Sequence, residues 1–297
     1  MVATLLLLAV AATAGVSAAR RAAGPRAHPV SVRPDASAPP LTFNRTWLTA
    51  HPQPALPVEA RSAILVDLDS RQVLWERDAD SLRAPASLAK MMTAMVAADH
   101  ASLDRSITVP ASAVAVEPNH MGLRAGEVVS VRDLMLGLFL DSGNDAAETL
   151  ASSIIPRRRF LAEMNARAAL LGLHSTAFSN PTGLDDPGLR SSARDLAVVA
   201  AYLEQHYPEL RSIAATRQKS IPAAAGHAAY APYNLNKMLW TYPGADGLKT
   251  GFTDDAGGCV AASASRGRRH LLAVVLHSNV FFTDAGRLLD YGFSSRA

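Results

Sequence analysis

The sequence predicts an α+β fold: an antiparallel sheet built from both chain ends, flanked by helices, with a mainly helical block inserted between its two parts. Three observations carry this expectation. Near the start, two β-type stretches at residues 63–68 and 72–76 flank the turn residues Asp69-Ser70-Arg71, a hairpin signature. The middle is dominated by helical periodicity. The last third returns to strand-like runs at residues 247–252, 259–265 and 270–277, and then closes on an apolar-striped helix at residues 284–291.

In chain order, residues 2–19 form an apolar run ending in Val16-Ser17-Ala18-Ala19, which resembles a secretory signal with a small-residue cleavage zone but lacks a basic start. A membrane anchor is the alternative, although about 18 residues is the lower limit for a span and Arg20-Arg21 favours the wrong orientation for export. Residues 1–19 are therefore read as signal peptide or anchor. Residues 20–57, rich in Pro, Ala and Arg with no period of 3.6 or 2, are read as a disordered linker. The folded domain is expected over residues 58–297. Within it, residues 107–110 and 127–131 read as short extended segments. Helices are expected at 131–140, 145–155, 160–171 and 192–202, with the polar break Asp141-Ser142-Gly143-Asn144 between the first two.

Composition narrows the function. Apolar residues make up 49% of the 297, which suits a globular protein. A net charge of +3 with only 6% aromatic residues does not supply the basic, aromatic-laced face that nucleic-acid binding needs. Cys259 is the only cysteine, so no internal disulfide forms, and it reads as a small buried strand residue. The nine histidines have no zinc-hydrolase spacing. Neither a Cys-rich metal site nor a zinc hydrolase is supported, and none of these patterns points to an organic cofactor.

Three short stretches carry chemistry. In Pro85-Ala86-Ser87-Leu88-Ala89-Lys90, Ser87 and Lys90 lie three apart on a helical turn, so hydroxyl and amine fall within reach of each other. A desolvated lysine can take the proton of a serine and make it a nucleophile. Alone, such a pair occurs by chance in about one similar chain in three. In the break Ser142-Gly143-Asn144, the serine can relay a proton and the amide can hold a substrate carbonyl, although the same residues suit an ordinary turn. Lys249-Thr250-Gly251 lies on a strand whose glycine makes sense if something approaches its backbone closely, as a substrate added along the strand would.

Taken together and in this order, Ser87-x-x-Lys90, Ser142-x-Asn144 and Lys249-Thr250-Gly251 resemble the signature motifs of the penicillin-binding protein and serine β-lactamase superfamily. The flanks, with Phe178-Ser179-Asn180-Pro181-Thr182-Gly183-Leu184 and Leu288-Leu289-Asp290-Tyr291-Gly292-Phe293, resemble its low-molecular-mass D-alanyl-D-alanine carboxypeptidases over residues 58–293. The resemblance implies an exported cell-envelope enzyme that cleaves D-Ala-D-Ala on peptidoglycan pentapeptide stems and is acylated by β-lactams. It makes Ser87 the nucleophile, Lys90 the base with a pKa lowered by burial and by Lys249, and Ser142 the proton relay. Asn144, Lys249, Thr250, Gly251 and Phe252 become substrate-binding residues, with the backbone N–H groups of Ser87 and Phe252 as the oxyanion hole. One position departs: Phe281 stands where this branch often carries a carboxylate-binding arginine. The rival readings are a DD-transpeptidase, a class A-like β-lactamase and a non-catalytic penicillin-binding sensor. No Glu-x-x-Leu-Asn segment of the β-lactamase type lies between Asn144 and Lys249, which implies slow deacylation.

Overall fold

The two parts of the expected sheet meet in the computed structural model, which describes residues 41–295. A short helix α1 (Thr46–Ala50) precedes the hairpin of β1 (Ser62–Asp67) and β2 (Gln72–Arg77). A 3-10 turn over Ala86–Ala89 runs straight into α2 (Lys90–His100). Then come β3 (Ser106–Thr108), α3 (Ala111–Val114) and β4 (Val128–Ser130), with β3 and β4 forming a small sheet of their own. The helical block continues through α4 (Val131–Phe139), α5 (Asn144–Ser153), α6 (Arg157–Leu170), α7 (Ala193–His206), α8 (Pro208–Ala214) and α9 (Met238–Thr241). Strands β5 (Ala245–Thr253), β6 (Gly257–Arg266) and β7 (Arg269–Ser278) follow, and α10 (Phe281–Ser294) closes.

The main sheet is antiparallel in the order β2-β1-β7-β6-β5. Pairs such as Ile64 with Val274 join the early hairpin to the late strands. Period-2 alternation sorts the apolar side chains onto two faces. Ile64, Val66, Leu272 and Val274 face the helical block, while Ala63, Leu65, Ala273 and Val275 pack with Ala285, Leu288 and Leu289 of α10. Every residue of β1 is therefore buried, as its unbroken apolar run requires. Helix α2 has no polar face over its first two turns and sits inside the helical layer, buried from Lys90 through Ala97. Ser130 and Ser192 cap α4 and α7 by accepting from the N–H of Asp133 and Asp195, which fixes where those helices begin. Cys259 is buried as expected, and burial pushes its thiol up to about 12.

Two expectations are corrected. The disordered linker does not extend to residue 57. Phe43 is buried, and Leu48 and Trp47 lean on the two cores. Asn44 bonds across the hairpin turn to Arg71 O and Val73 N, and Trp47 N donates to Gln72 Oε1. Three apolar anchors outweigh the proline-rich composition around them. The rest of that linker and the expected signal or anchor at 1–19 lie outside the described residues. Among those described, no helix is long and apolar enough to cross a membrane. Helices α5 and α6 also begin earlier than expected. Asn144 is the first residue of α5, and the arginines of α6 start that helix at Arg157 rather than at Phe160.

The closing helix is tied to the sheet by one fully buried carboxylate. Asp284 accepts from the N–H groups of Glu59 and Ala60 at 2.9–3.1 Å and from Ser278 Oγ at 2.7 Å. Removing it strands several buried donors at once. Asp284→Ala is expected to lower unfolding stability by about 2–4 kcal/mol in urea titrations.

Candidate active site

The site begins with a backbone feature. In a 3-10 turn, side chains at i and i+3 eclipse each other. Ser87 lies in that turn and Lys90 opens the helix after it, so Lys90 Nζ stands 2.8 Å from Ser87 Oγ. The residue before the serine, Ala86, takes a left-handed φ of 48°, and Ser142 in the second motif takes 58°. Alanine and serine adopt such values only where surrounding structure enforces them, and two of the five non-glycine residues with positive φ among those described are these.

Lys90 is buried, and its amine has three oxygen neighbours. Besides Ser87 Oγ, it donates to Asn144 Oδ1 at 2.6 Å and to the Thr182 carbonyl at 2.5 Å. Each is placed by a separate device. Asn144 sits at the first turn of α5, next to Asp145, whose carboxylate accepts from the N–H groups of Met121, Gly122 and Leu123. Thr182 is held by Asn180, whose Oδ1 accepts from Thr182 N, Thr182 Oγ1 and Gly183 N, while Thr93 Oγ1 of α2 donates to Pro181 O. Burial pushes the Lys90 amine well below the usual lysine range, and the Lys249 charge pushes it further; Asp145 and Glu148 oppose this only in part. Lys249 is itself lowered to about 7, again by burial, with Asp141 pulling the other way.

Strand β5 is the free edge of the main sheet and runs past the serine turn. A Cβ on Gly251 would stand 2.8 Å from both Ser87 N and Ala86 Cβ. The expectation that something approaches this glycine closely holds, but what approaches is the serine turn itself. Thr250 and Phe252 flank it, the latter 68% exposed at the rim.

A cleft of about 330 Å³ gathers Ser87, Ser142, Asn144, Thr250, Gly251 and Phe252 on its lining. Lys90 and Lys249 are buried side chains behind these residues. The cleft wall includes Phe281 and Phe282, whose ring centroids are 4.3 Å apart, and among the described residues Lys237 is the one cationic side chain on the lining. Phe281 packs so closely on β6 that a Cβ on Gly258 would lie 2.2 Å from its ring. An aromatic wall thus occupies the position where the resemblance anticipates an arginine.

Two points were not anticipated. The Asn144 amide, expected to hold a substrate carbonyl, is engaged at both ends, by Lys90 and by the Glu117 carbonyl at 2.8 Å. One N–H is left for a ligand. The Thr182 carbonyl had no assigned role at all, although the segment around it stood out. A backbone acceptor leaves no side-chain signature; the only available signal was the Asn-Pro-Thr-Gly turn that presents it.

The model of the D-alanyl-D-alanine carboxypeptidase family matches residues 48–280. D-alanyl-D-alanine carboxypeptidase DacB2 of Mycobacterium tuberculosis is 36% identical over 84% of this chain and 89% of its own length. DacF of Bacillus subtilis is 33% identical over 80% of this chain, which spans only 62% of that relative. Among solved structures, a D-alanyl-D-alanine carboxypeptidase from M. tuberculosis superposes with TM-score 0.77 at 34% identity, covering 82% of this chain and 95% of that one. A Streptomyces DD-transpeptidase variant gives TM-score 0.76 at 29% identity, covering 82% and 100%.

Gly183 tests the geometry. Its φ is 88°, and a Cβ there would lie 2.0 Å from Ala86 O and 2.8 Å from Ser87 Cα. Gly183→Ala has to displace the serine turn or the Thr182 carbonyl. It is expected to slow covalent labelling of the protein by a fluorescent penicillin about 100-fold or more.

Proposed function

The chain belongs to the D-alanyl-D-alanine carboxypeptidase family of serine-type hydrolases, and we propose that Ser87 is its nucleophile and Lys90 its general base. The observation that carries this is the buried amine 2.8 Å from the serine hydroxyl, with both carbonyl acceptors beside it. A neutral amine has two N–H bonds and one lone pair. Asn144 Oδ1 and Thr182 O take the two N–H bonds, and the lone pair is left facing the Ser87 proton.

On this reading Ser87 Oγ attacks the carbonyl between the two terminal D-alanines of a peptidoglycan stem as Lys90 takes its proton. The oxyanion accepts from the backbone N–H groups of Ser87 and Phe252, each such donor being worth about 3 kcal/mol in comparable acyl transfers. Ser142 passes the proton from Lys90 to the departing D-alanine amine. Water then releases the acyl group. Lys249, Thr250, Gly251 and the remaining Asn144 N–H bind the stem along the free edge of β5. Lys237 supplies positive charge on the lining where Phe281 does not. A β-lactam acylates the same oxygen, but its amine stays tethered to the acyl group, so the adduct persists. Membership of this family fits work in the cell envelope, on the outer side of the cytoplasmic membrane, with the N-terminal segment as signal or anchor.

Transpeptidation is the second reading. The likeness to a Streptomyces DD-transpeptidase over the whole of that chain favours it, as does an aromatic wall that disfavours water near the acyl group. Release of D-alanine from a pentapeptide mimic is expected, and Ser87→Ala is expected to abolish it together with the penicillin adduct in an intact-mass spectrum. Release that survives in Ser87→Ala would contradict the assignment. An amide product with an added amine would assign the acyl group to transfer rather than hydrolysis.

A further inference from the structure

A second cluster of titratable groups lies between α7 and the sheet, apart from the Ser87 cleft. Glu204 of α7, Asp246 of β5 and His270 of β7 come together from three elements. His270 Nε2 is 3.1 Å from Glu204 Oε2 and 3.6 Å from Asp246 Oδ2. Zinc–ligand bonds of about 2.0–2.2 Å at tetrahedral angles place ligand atoms roughly 3.3–3.6 Å apart. The two spacings to His270 are near that value, and all three ligand atoms lie within 4.8 Å of one another.

The internal hydrogen bonds do not account for it. Glu204 is only 8% exposed, and its carboxylate oxygens and His270 Nε2 stand close to one another as ion pairs without a well-aligned hydrogen bond among them. Ser263 and Ser265 stand next to the cluster, but their hydroxyls are committed to Asp246 Oδ1 at 2.7 Å and Oδ2 at 2.8 Å. They hold that carboxylate in place. Arg211 is the other cation present, with Nε 3.3 Å from Glu204 Oε2 and Nη2 3.3 Å from Asp246 Oδ2. Its side chain is 40% exposed and can turn out to solvent when a stronger cation arrives. Glu204, Arg211 and His270 all border an open cleft of about 370 Å³, which gives an ion a way in.

We propose that Glu204, Asp246 and His270 bind a first-row divalent cation of the zinc type, with solvent completing the coordination. One imidazole and two carboxylates form a nitrogen–oxygen donor set suited to such an ion. The two carboxylates balance its charge where burial makes an uncompensated pair unfavourable. The ring lies within 3.6 Å of carboxylate oxygens from both Glu204 and Asp246, so negative charge surrounds the place an ion would take. The ion joins α7 to β5 and β7, and Asp246 stands three residues before Lys249 on the strand that borders the Ser87 cleft. Its role is to clamp that strand, and it takes no part in acyl transfer.

The test uses the full chain, stripped with a chelator and dialysed at pH 8. Titration with zinc chloride is expected to show one saturable equivalent and to raise Tm by about 5 °C at excess metal. Cobalt(II) is expected to give tetrahedral d–d absorption. Glu204→Gln, which keeps the side-chain shape, and His270→Ala are each expected to weaken binding at least 10-fold. Both variants should keep their penicillin labelling, which shows that they remain folded. Absence of a saturable equivalent, or binding unchanged in Glu204→Gln, overturns the proposal and leaves an imidazolium paired with two carboxylates.

Discussion

The arrangement rests on one buried amine. Lys90 is enclosed at the start of an interior helix, and its three neighbours are all oxygens. Burial disfavours the ammonium form, and a second buried lysine nearby disfavours it further. A neutral amine in this setting has little freedom: two carbonyl oxygens demand its N–H bonds, so its lone pair is directed at Ser87. Moving either carbonyl would release that constraint. The structure devotes Asn180, Thr93 and the first turn of α5 to holding both in place.

The larger architecture supplies this local order. A sheet assembled from both chain ends brings β5 to a free edge beside the serine turn, and Gly251 lets the two backbones approach closely. The helical block buries α2 on all sides, which removes water from around Lys90. Asp145 fastens the segment at Met121 to the helix that carries Asn144, and Phe281 closes the far wall of the cleft against β6. Fold and site are thus linked through a few buried polar groups, each placed by a different element.

Much of this was legible in the sequence because its signals were local. Turn residues between β-type runs marked the first hairpin, and the three chemical stretches placed Ser87, Ser142, Asn144, Thr250 and Gly251 around one cleft. What escaped were relations carried by backbone or by distance along the chain. The Thr182 carbonyl is invisible to any reading of side chains. Residues 41–57 read as linker because composition outvoted Phe43 and Trp47, whose partners lie in the hairpin beyond. Glu204, Asp246 and His270 come from three separate elements, and no spacing rule connects them. The Asn144 amide is expected to hold a substrate carbonyl because it can donate and accept at once; as the first residue of a buried helix it also meets Lys90 and the Glu117 carbonyl.

Lys90 takes the serine proton as a neutral amine whose pKa lies well below the usual lysine range and whose lone pair is oriented by two carbonyls. The rate of Ser87 acylation by a β-lactam, followed by stopped-flow from pH 5 to 11, tests it most directly. Since only the neutral amine can take the serine proton, the rate should rise with pH and level off far below the usual lysine pKa of about 10.4. A rate that keeps climbing tenfold per pH unit up to that value would mean an ordinary protonated lysine, and would contradict the account.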